Sequence, residues 1–91
     1  MSKHYVYFLQ SQLDKKFYIG YTTDLQKRLE EHNAGKNKST RYRKPFALVY
    51  FEEYGDKHVA FQREFFLKSP KGFLAKKEII EKLKHSGVAQ R

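Results

Sequence analysis

Residues 4–22 read HYVYFLQ (4–10), SQLDKK (11–16) and FYIGYT (17–22), and this stretch decides the fold. His4 to Gln10 is rich in β-branched and aromatic side chains, which suit a pleated, half-buried surface, so a strand is expected. Ser11 to Lys16 is polar and carries Asp14, as a hairpin turn requires. Phe17 to Thr22 is the expected return strand. Gly20 within it weakens a strand and marks close approach by a backbone or ligand.

Outward from the hairpin, Thr23-Asp24-Leu25-Gln26 has the spacing of a capping box. Leu25 and Leu29 then pair at i, i+4, and Asn33-Ala34-Gly35 tolerates a left-handed stop. The spacing predicts a helix over about 24–34. Gly35 to Lys44 is expected as a loop ended by Pro45. Phe46 to Tyr54 predicts a third strand, apolar enough for a central place in the sheet. Asp56 is the expected N-cap of a helix over Lys57 to Lys68. Ser69-Pro70 looks like the cap and first position of a last helix running to about Lys84. Phe73, Ile80 and Leu83 fall roughly on one face of it. Gly87 is its expected end, with a frayed tail from about residue 86. The order is β-β-α-β-α-α. The expected fold is α+β, a small three-stranded, mostly antiparallel sheet flanked by helices.

The chain has 91 residues, enough for one domain spanning 1–91. Nineteen Lys and Arg against ten Asp and Glu give a net charge of +9, which favours a polyanionic partner. Aromatic content of 16% argues against disorder. The absence of cysteine excludes a disulfide scaffold, a thiolate zinc site and a Cys nucleophile. No apolar run approaches the roughly 20 residues that span a bilayer, and Met1 to Tyr5 lacks a signal peptide's apolar stretch. A cytoplasmic protein without membrane association is expected.

Most catalytic machinery is missing. There is no Gly-rich phosphate loop, no His pair at metal spacing and no serine elbow. Tyr5 and Tyr7 share one strand face, and Tyr18 lies on the paired strand. Such tyrosines are commonly core residues with a wet hydroxyl. Arg28 and His32 stand at i, i+4 on the first helix, Arg28 at the edge of its apolar stripe. A solvated arginine and a dipole-favoured C-terminal histidine are the bland alternatives. Glu64 lies four residues after Ala60 and three before Leu67, on or near an apolar face. A buried carboxylate is costly unless paired or metal-bound, and an exposed one is as compatible with this spacing. Glu52, Glu53 and Asp56 are expected to face solvent.

Tyr5-Val6-Tyr7 and Tyr18-Ile19-Gly20 resemble the two halves of the GIY-YIG nuclease signature. The helix with Leu25, Arg28, Leu29, His32 and Asn33 is similar to that family's arginine helix. Glu64, in REFFLK, is similar to its metal-binding glutamate. The resemblance covers essentially the whole chain and is closest to small stand-alone bacterial members. Tyr5 replaces the first Gly of the signature. The asparagine that larger members carry about a dozen residues beyond the glutamate is absent from Phe73 to Lys77. The resemblance implies metal-dependent hydrolysis of DNA phosphodiester bonds, linked to repair or recombination. Tyr7 would then be general base or water-orienting hydroxyl, and Tyr18 would position water or phosphate. Arg28 would hold the scissile phosphate, a task suited to its fork of donors. His32 would support or transfer a proton. Glu64 would ligate one Mg²⁺ or Mn²⁺, a hard cation that takes oxygen ligands and keeps several waters.

Lys36, Lys38, Arg41, Arg43 and Lys44 in the loop, with Lys68, Lys71, Lys76 and Lys77, are the expected phosphate footprint. Tyr42 is placed to stack on an exposed base. No base-reading module is recognisable, so structure- or backbone-directed binding with little sequence specificity is expected. The resemblance implies DNA as the partner, in branched, damaged or single-stranded form, with RNA left open. A catalytically weak binding module of the same fold and a basic protein adaptor are the competing readings. Oligomeric state is not legible.

Overall fold

A computed structural model of the chain describes residues 3–89, with side chains to residue 84. Three strands, β1 (His4–Ser11), β2 (Phe17–Thr22) and β3 (Phe46–Tyr54), form one sheet in the order β2-β1-β3, and both pairings are antiparallel. The helices are α1 (Leu25–Asn33), α2 (Lys57–Lys68) and α3 (Phe73–Ala89). Short 3₁₀ turns at Arg41–Arg43 and Pro70–Gly72 complete the order. The fold is α+β with the predicted β-β-α-β-α-α sequence of elements.

The central strand is β1, not β3. Val6, Tyr7, Phe8 and Leu9 are all buried, so this strand presents apolar side chains to both faces. That is the signature of a strand covered on two sides. In β3, Phe51 and Glu53 are exposed. A charged, partly solvated strand belongs at an edge, where it discourages pairing with another chain.

Alternation along β1 creates two cores. Val6 and Phe8 pack with Ile19, Ala60 and Leu67, and with Ala75, Ile79 and Ile80 of α3. Tyr7 and Leu9 pack on the other face with Phe46, Tyr18, Leu25, Leu29 and Leu48. So α1 covers the face that carries Tyr7, and α2 and α3 cover the opposite one.

Helix ends differ from the sequence reading in detail. Asp24, not Thr23, caps α1: its carboxylate accepts from the Lys27 amide at 3.0 Å. A carboxylate at N-cap satisfies orphan amides and complements the helix dipole. Gly35, at φ 78°, takes the left-handed position beyond that helix. Asp56 caps α2 as expected, accepting from His58 at 2.7 Å. Ser69 makes no side-chain cap. Its hydroxyl donates back to the Phe66 carbonyl, Pro70 opens a 3₁₀ turn, and α3 begins only at Phe73. Phe73 is exposed rather than buried. α3 passes through Gly87 to Ala89, so Gly87 does not end it. The remainder of the expected frayed tail, residues 90 and 91, lies outside the described residues.

Candidate active site

Tyr7 stands opposite Gly20 in the β1–β2 ladder. A Cβ on Gly20 would collide with the Tyr7 hydroxyl and lie 2.6 Å from its Cζ. The missing side chain is therefore room for a phenol, rather than for a backbone or a ligand. Tyr7 is 2% exposed. Its ring lies 6.5 Å from that of Tyr18 and edge-on to His32 at 6.3 Å.

His32 comes from the last turn of α1 and is also buried. Its Nε2 lies 3.3 Å from the Tyr7 hydroxyl and its Nδ1 lies 2.8 Å from Thr40 Oγ1. The Tyr18 ring stands 5.0 Å away. Three anchors hold α1 in this position. Leu25 and Leu29 pack on the sheet. Asp24 caps one end. At the other end Asn33 Nδ2 donates to the Phe46 carbonyl at 3.1 Å, while its Oδ1 accepts from the Phe46 amide at 2.6 Å. The amide side chain thus pairs with the β3 backbone as another strand would.

Burial, reinforced by the charge that Tyr18 would carry, raises Tyr7 far above the ordinary phenol range. Arg28 opposes this, and Glu64 and Glu31 add to it. The phenol is thus neutral at physiological pH and feels both the guanidinium and the α2 carboxylate. Burial also lowers His32, with Arg28 acting in the same direction and Glu31 against it. His32 is thereby held as a neutral imidazole.

Arg28 Nη1 is 3.4 Å from Glu31 Oε1. Its Nε is buried without a hydrogen-bond partner among the described residues. The Arg28 side chain lines a cleft of about 470 Å³ with Glu31, Lys36, Asn37 and Lys38. Glu64 sits at the border of the α2 stripe that buries Ala60 and Leu67. Lys68 donates to its Oε2 at 2.7 Å, and the same ammonium stands 5.8 Å from the centre of the Tyr18 ring. This bridge carries α2 round the β2 edge to the phenols.

Among the described residues no three His, Cys, Asp or Glu gather as a metal cluster. A lone half-buried carboxylate suits a hard divalent ion that keeps most of its water shell and takes further oxygens from a phosphate. It does not suit a dry, all-protein cage.

The structure brings Tyr7, Tyr18 and His32 into contact, links Glu64 to Tyr18 through Lys68, and leaves Arg28 one helical turn before His32. The signature residues divide by face. Val6 and Ile19 are core, and Tyr5 packs edge-on against Phe51 at 5.8 Å. The basic positions are scattered. Lys36 and Lys38 share the Arg28 cleft. Arg43 is tied to Asp14 at 3.1 Å, and its carbonyl accepts from the buried Ser11 hydroxyl. Arg41 lies over the exposed Tyr42 ring. The exposed Lys44 reaches back toward Gly35. Lys71 is exposed on its 3₁₀ turn, between α2 and α3. Lys76 and Lys77 stand on α3, whose packing is with the core opposite Tyr7.

Glu52 is not solvent-facing. It accepts from the Tyr50 and Tyr54 hydroxyls, both at 2.6 Å, and from Arg63 at 2.9 and 3.0 Å. Burial pushes its pKa up, but these donors outweigh it and hold the carboxyl below the usual range. The alternation of β3 carried the signal: Tyr50, Glu52 and Tyr54 are two apart and share a face. Two further partners escaped the sequence reading. Glu31 was visible as an i+3 partner of Arg28. Thr40, in an irregular loop, left no signal.

Residues 3–78 match the GIY-YIG catalytic domain. The UPF0213 protein SpyM3_1077 of Streptococcus pyogenes serotype M3 is 50% identical over 70 residues, 76% of this chain and 75% of that protein. The UPF0213 protein M28_Spy1146 of serotype M28 matches to the same extent. The solution NMR structure of the UPF0213 protein BH0048 from Bacillus halodurans is 40% identical, covers 90% of this chain and 85% of its own, and superposes with a TM-score of 0.51. With a domain match over most of its length and relatives at this identity, the chain belongs to the GIY-YIG catalytic domain family.

Proposed function

We propose that this protein is a divalent-metal-dependent endonuclease that hydrolyses DNA phosphodiester bonds, directed by backbone and structure rather than by sequence, in repair or recombination. The observation that carries the reading is the buried Tyr7–His32 pair, whose phenol feels both the guanidinium of Arg28 and the carboxylate of Glu64. A core tyrosine needs no such arrangement.

The buried, neutral Tyr7 is no preformed phenolate. It is suited to a relay, taking a proton from attacking water as it passes its own to His32 Nε2. The tautomer required is the one with the proton on Nδ1. The Thr40 hydroxyl donates to the Asn37 carbonyl at 3.5 Å, leaving Oγ1 to accept from Nδ1–H. Arg28 neutralises charge building on the phosphate, and its unpartnered Nε–H gives it a donor in hand. Tyr18, its ring tilted against both members of the pair, orients water or phosphate. Glu64 would hold the divalent ion, with Lys68 giving way, and the ion when bound supplies Lewis acidity at the phosphate.

The test is nicking of supercoiled and branched DNA with Mg²⁺ or Mn²⁺, comparing wild type, Arg28→Ala and Glu64→Gln. Metal-dependent product lost in both variants supports the enzyme. A second reading has its own support, since Lys68 already occupies Glu64 and Phe73 to Lys77 lacks an asparagine. It is a nucleic-acid-binding module of the same fold, for which tight, salt-sensitive binding without product is expected.

A further inference from the structure

The α2 helix exposes three phenylalanines, of which Phe61 and Phe65 lie one turn apart. Phe65 is 75% exposed and Phe61 is 40% exposed. Their place on the helix is specific. Glu64 and Phe65 are the i+3 and i+4 neighbours of Phe61, one turn away at about 5–6 Å between Cβ atoms. Lys57 precedes Phe61 by one turn, and its ammonium lies 5.6 Å from the Phe61 ring centre. Lys68 follows Phe65 by three residues and bonds Glu64. Phe61 also rests on Tyr21 of β2, 4.4 Å between ring centres. The face therefore offers aromatic rings bordered by two ammonium groups, directly beside the carboxylate of the candidate active site.

From this we infer that Phe61 and Phe65 form a stacking shelf for an unpaired base beside the candidate active site, next to the phosphate that Arg28 and a metal ion on Glu64 would hold. The preferred ligand is then nucleic acid with unpaired nucleotides, such as a single strand or a flap. The inference rests on the nuclease reading for the place of the phosphate, but not on turnover. Aromatic faces flanked by cations match the two parts of a nucleotide, a π-surface and an anion. A stacked duplex hides its base faces and gains nothing from such rings. An apolar protein partner would gain nothing from Lys57 and Lys68.

The test is binding by the full chain in EDTA, where cleavage plays no part. The probes are a fluorescein-labelled oligothymidylate and a blunt duplex of equal length. Phe65→Ala is expected to weaken single-strand binding about tenfold while changing duplex binding less than twofold. Phe65→Trp should retain it. Because Phe65 is exposed, its unfolding temperature should not move, and Phe61→Leu is a second variant of the same shelf. Unchanged single-strand affinity in Phe65→Ala, or equal losses on both probes, overturns the proposal. So does conversion of a dimer to a monomer in sedimentation at constant affinity, which would make the face a protein contact. Failure to nick DNA would leave this result standing, whereas a lost shelf with intact nicking would refute the shelf alone.

Discussion

The Tyr7 phenol lies across the space that a Cβ on Gly20 would occupy, the two residues facing one another across the β1–β2 ladder. Tyr7 is enclosed and has nowhere to retreat. Gly20→Ala is expected to cost about 1–3 kcal/mol through overpacking, read as a lowered unfolding temperature. Because the clash falls on the hydroxyl and ring, nicking should fall more than stability does. A variant with wild-type melting and wild-type nicking would show that the ring has other room.

Tyr7→Phe separates the hydroxyl from the ring. The ring continues to fill the space over Gly20, so the fold should survive, with a loss of about 1 kcal/mol for the hydrogen bond to His32. Nicking should drop by about 10²–10⁴, the usual contribution of a positioned proton-transfer group. Single-turnover rates at saturating DNA check this, since binding should be unaffected.

The two buried titratable groups set opposite pH limits on stability. His32 is lowered in the fold, so below about pH 6.5 the unfolded chain binds a proton that the folded one resists. Stability is complete above that pH and declines as pH falls further. Arg28 sharpens the effect and Glu31 softens it. Tyr7 is raised, so its contribution is complete below about pH 10 and is lost as pH rises beyond it. Urea midpoints across pH 5–11 should show both declines. His32→Gln should flatten the limb between pH 5 and 6.5, and an unaltered limb would assign it to another group.

Glu52 joins β3 to α2 through Arg63, the residue before Glu64. Glu52→Ala leaves the guanidinium and the Tyr50 and Tyr54 hydroxyls without their shared acceptor. A loss of about 2–3 kcal/mol is expected from charge-assisted hydrogen bonds of this kind. The two phenols, each pushed up to about 12 chiefly by burial and then by this carboxylate, should titrate at lower pH in the variant. Ultraviolet titration of the tyrosines reads the change directly.

Much of this was legible beforehand because it is local. Strand β2, strand β3 and helix α2 have the residue limits that alternation, apolar runs and the Asp56 cap indicate. The Arg28–His32 spacing and the place of Glu64 at the edge of a stripe follow from helical periodicity alone. The errors lie where several elements compete. Phe46 to Tyr54 looks central by composition, but the middle of the sheet goes to the strand that can bury both faces. Glu52 looks like a solvated acid until Arg63 arrives from another element.

The order of elements, the basic charge and the paired tyrosine motifs were written in the chain itself, since each depends on residues a few positions apart. Only the folded molecule could decide that Thr40 meets His32 and that Lys68 spans Glu64 and Tyr18. It alone decided that Tyr7 is too deeply enclosed to ionise near neutrality. Those relations depend on burial and on contacts between distant segments, and no local pattern encodes the dielectric around a side chain.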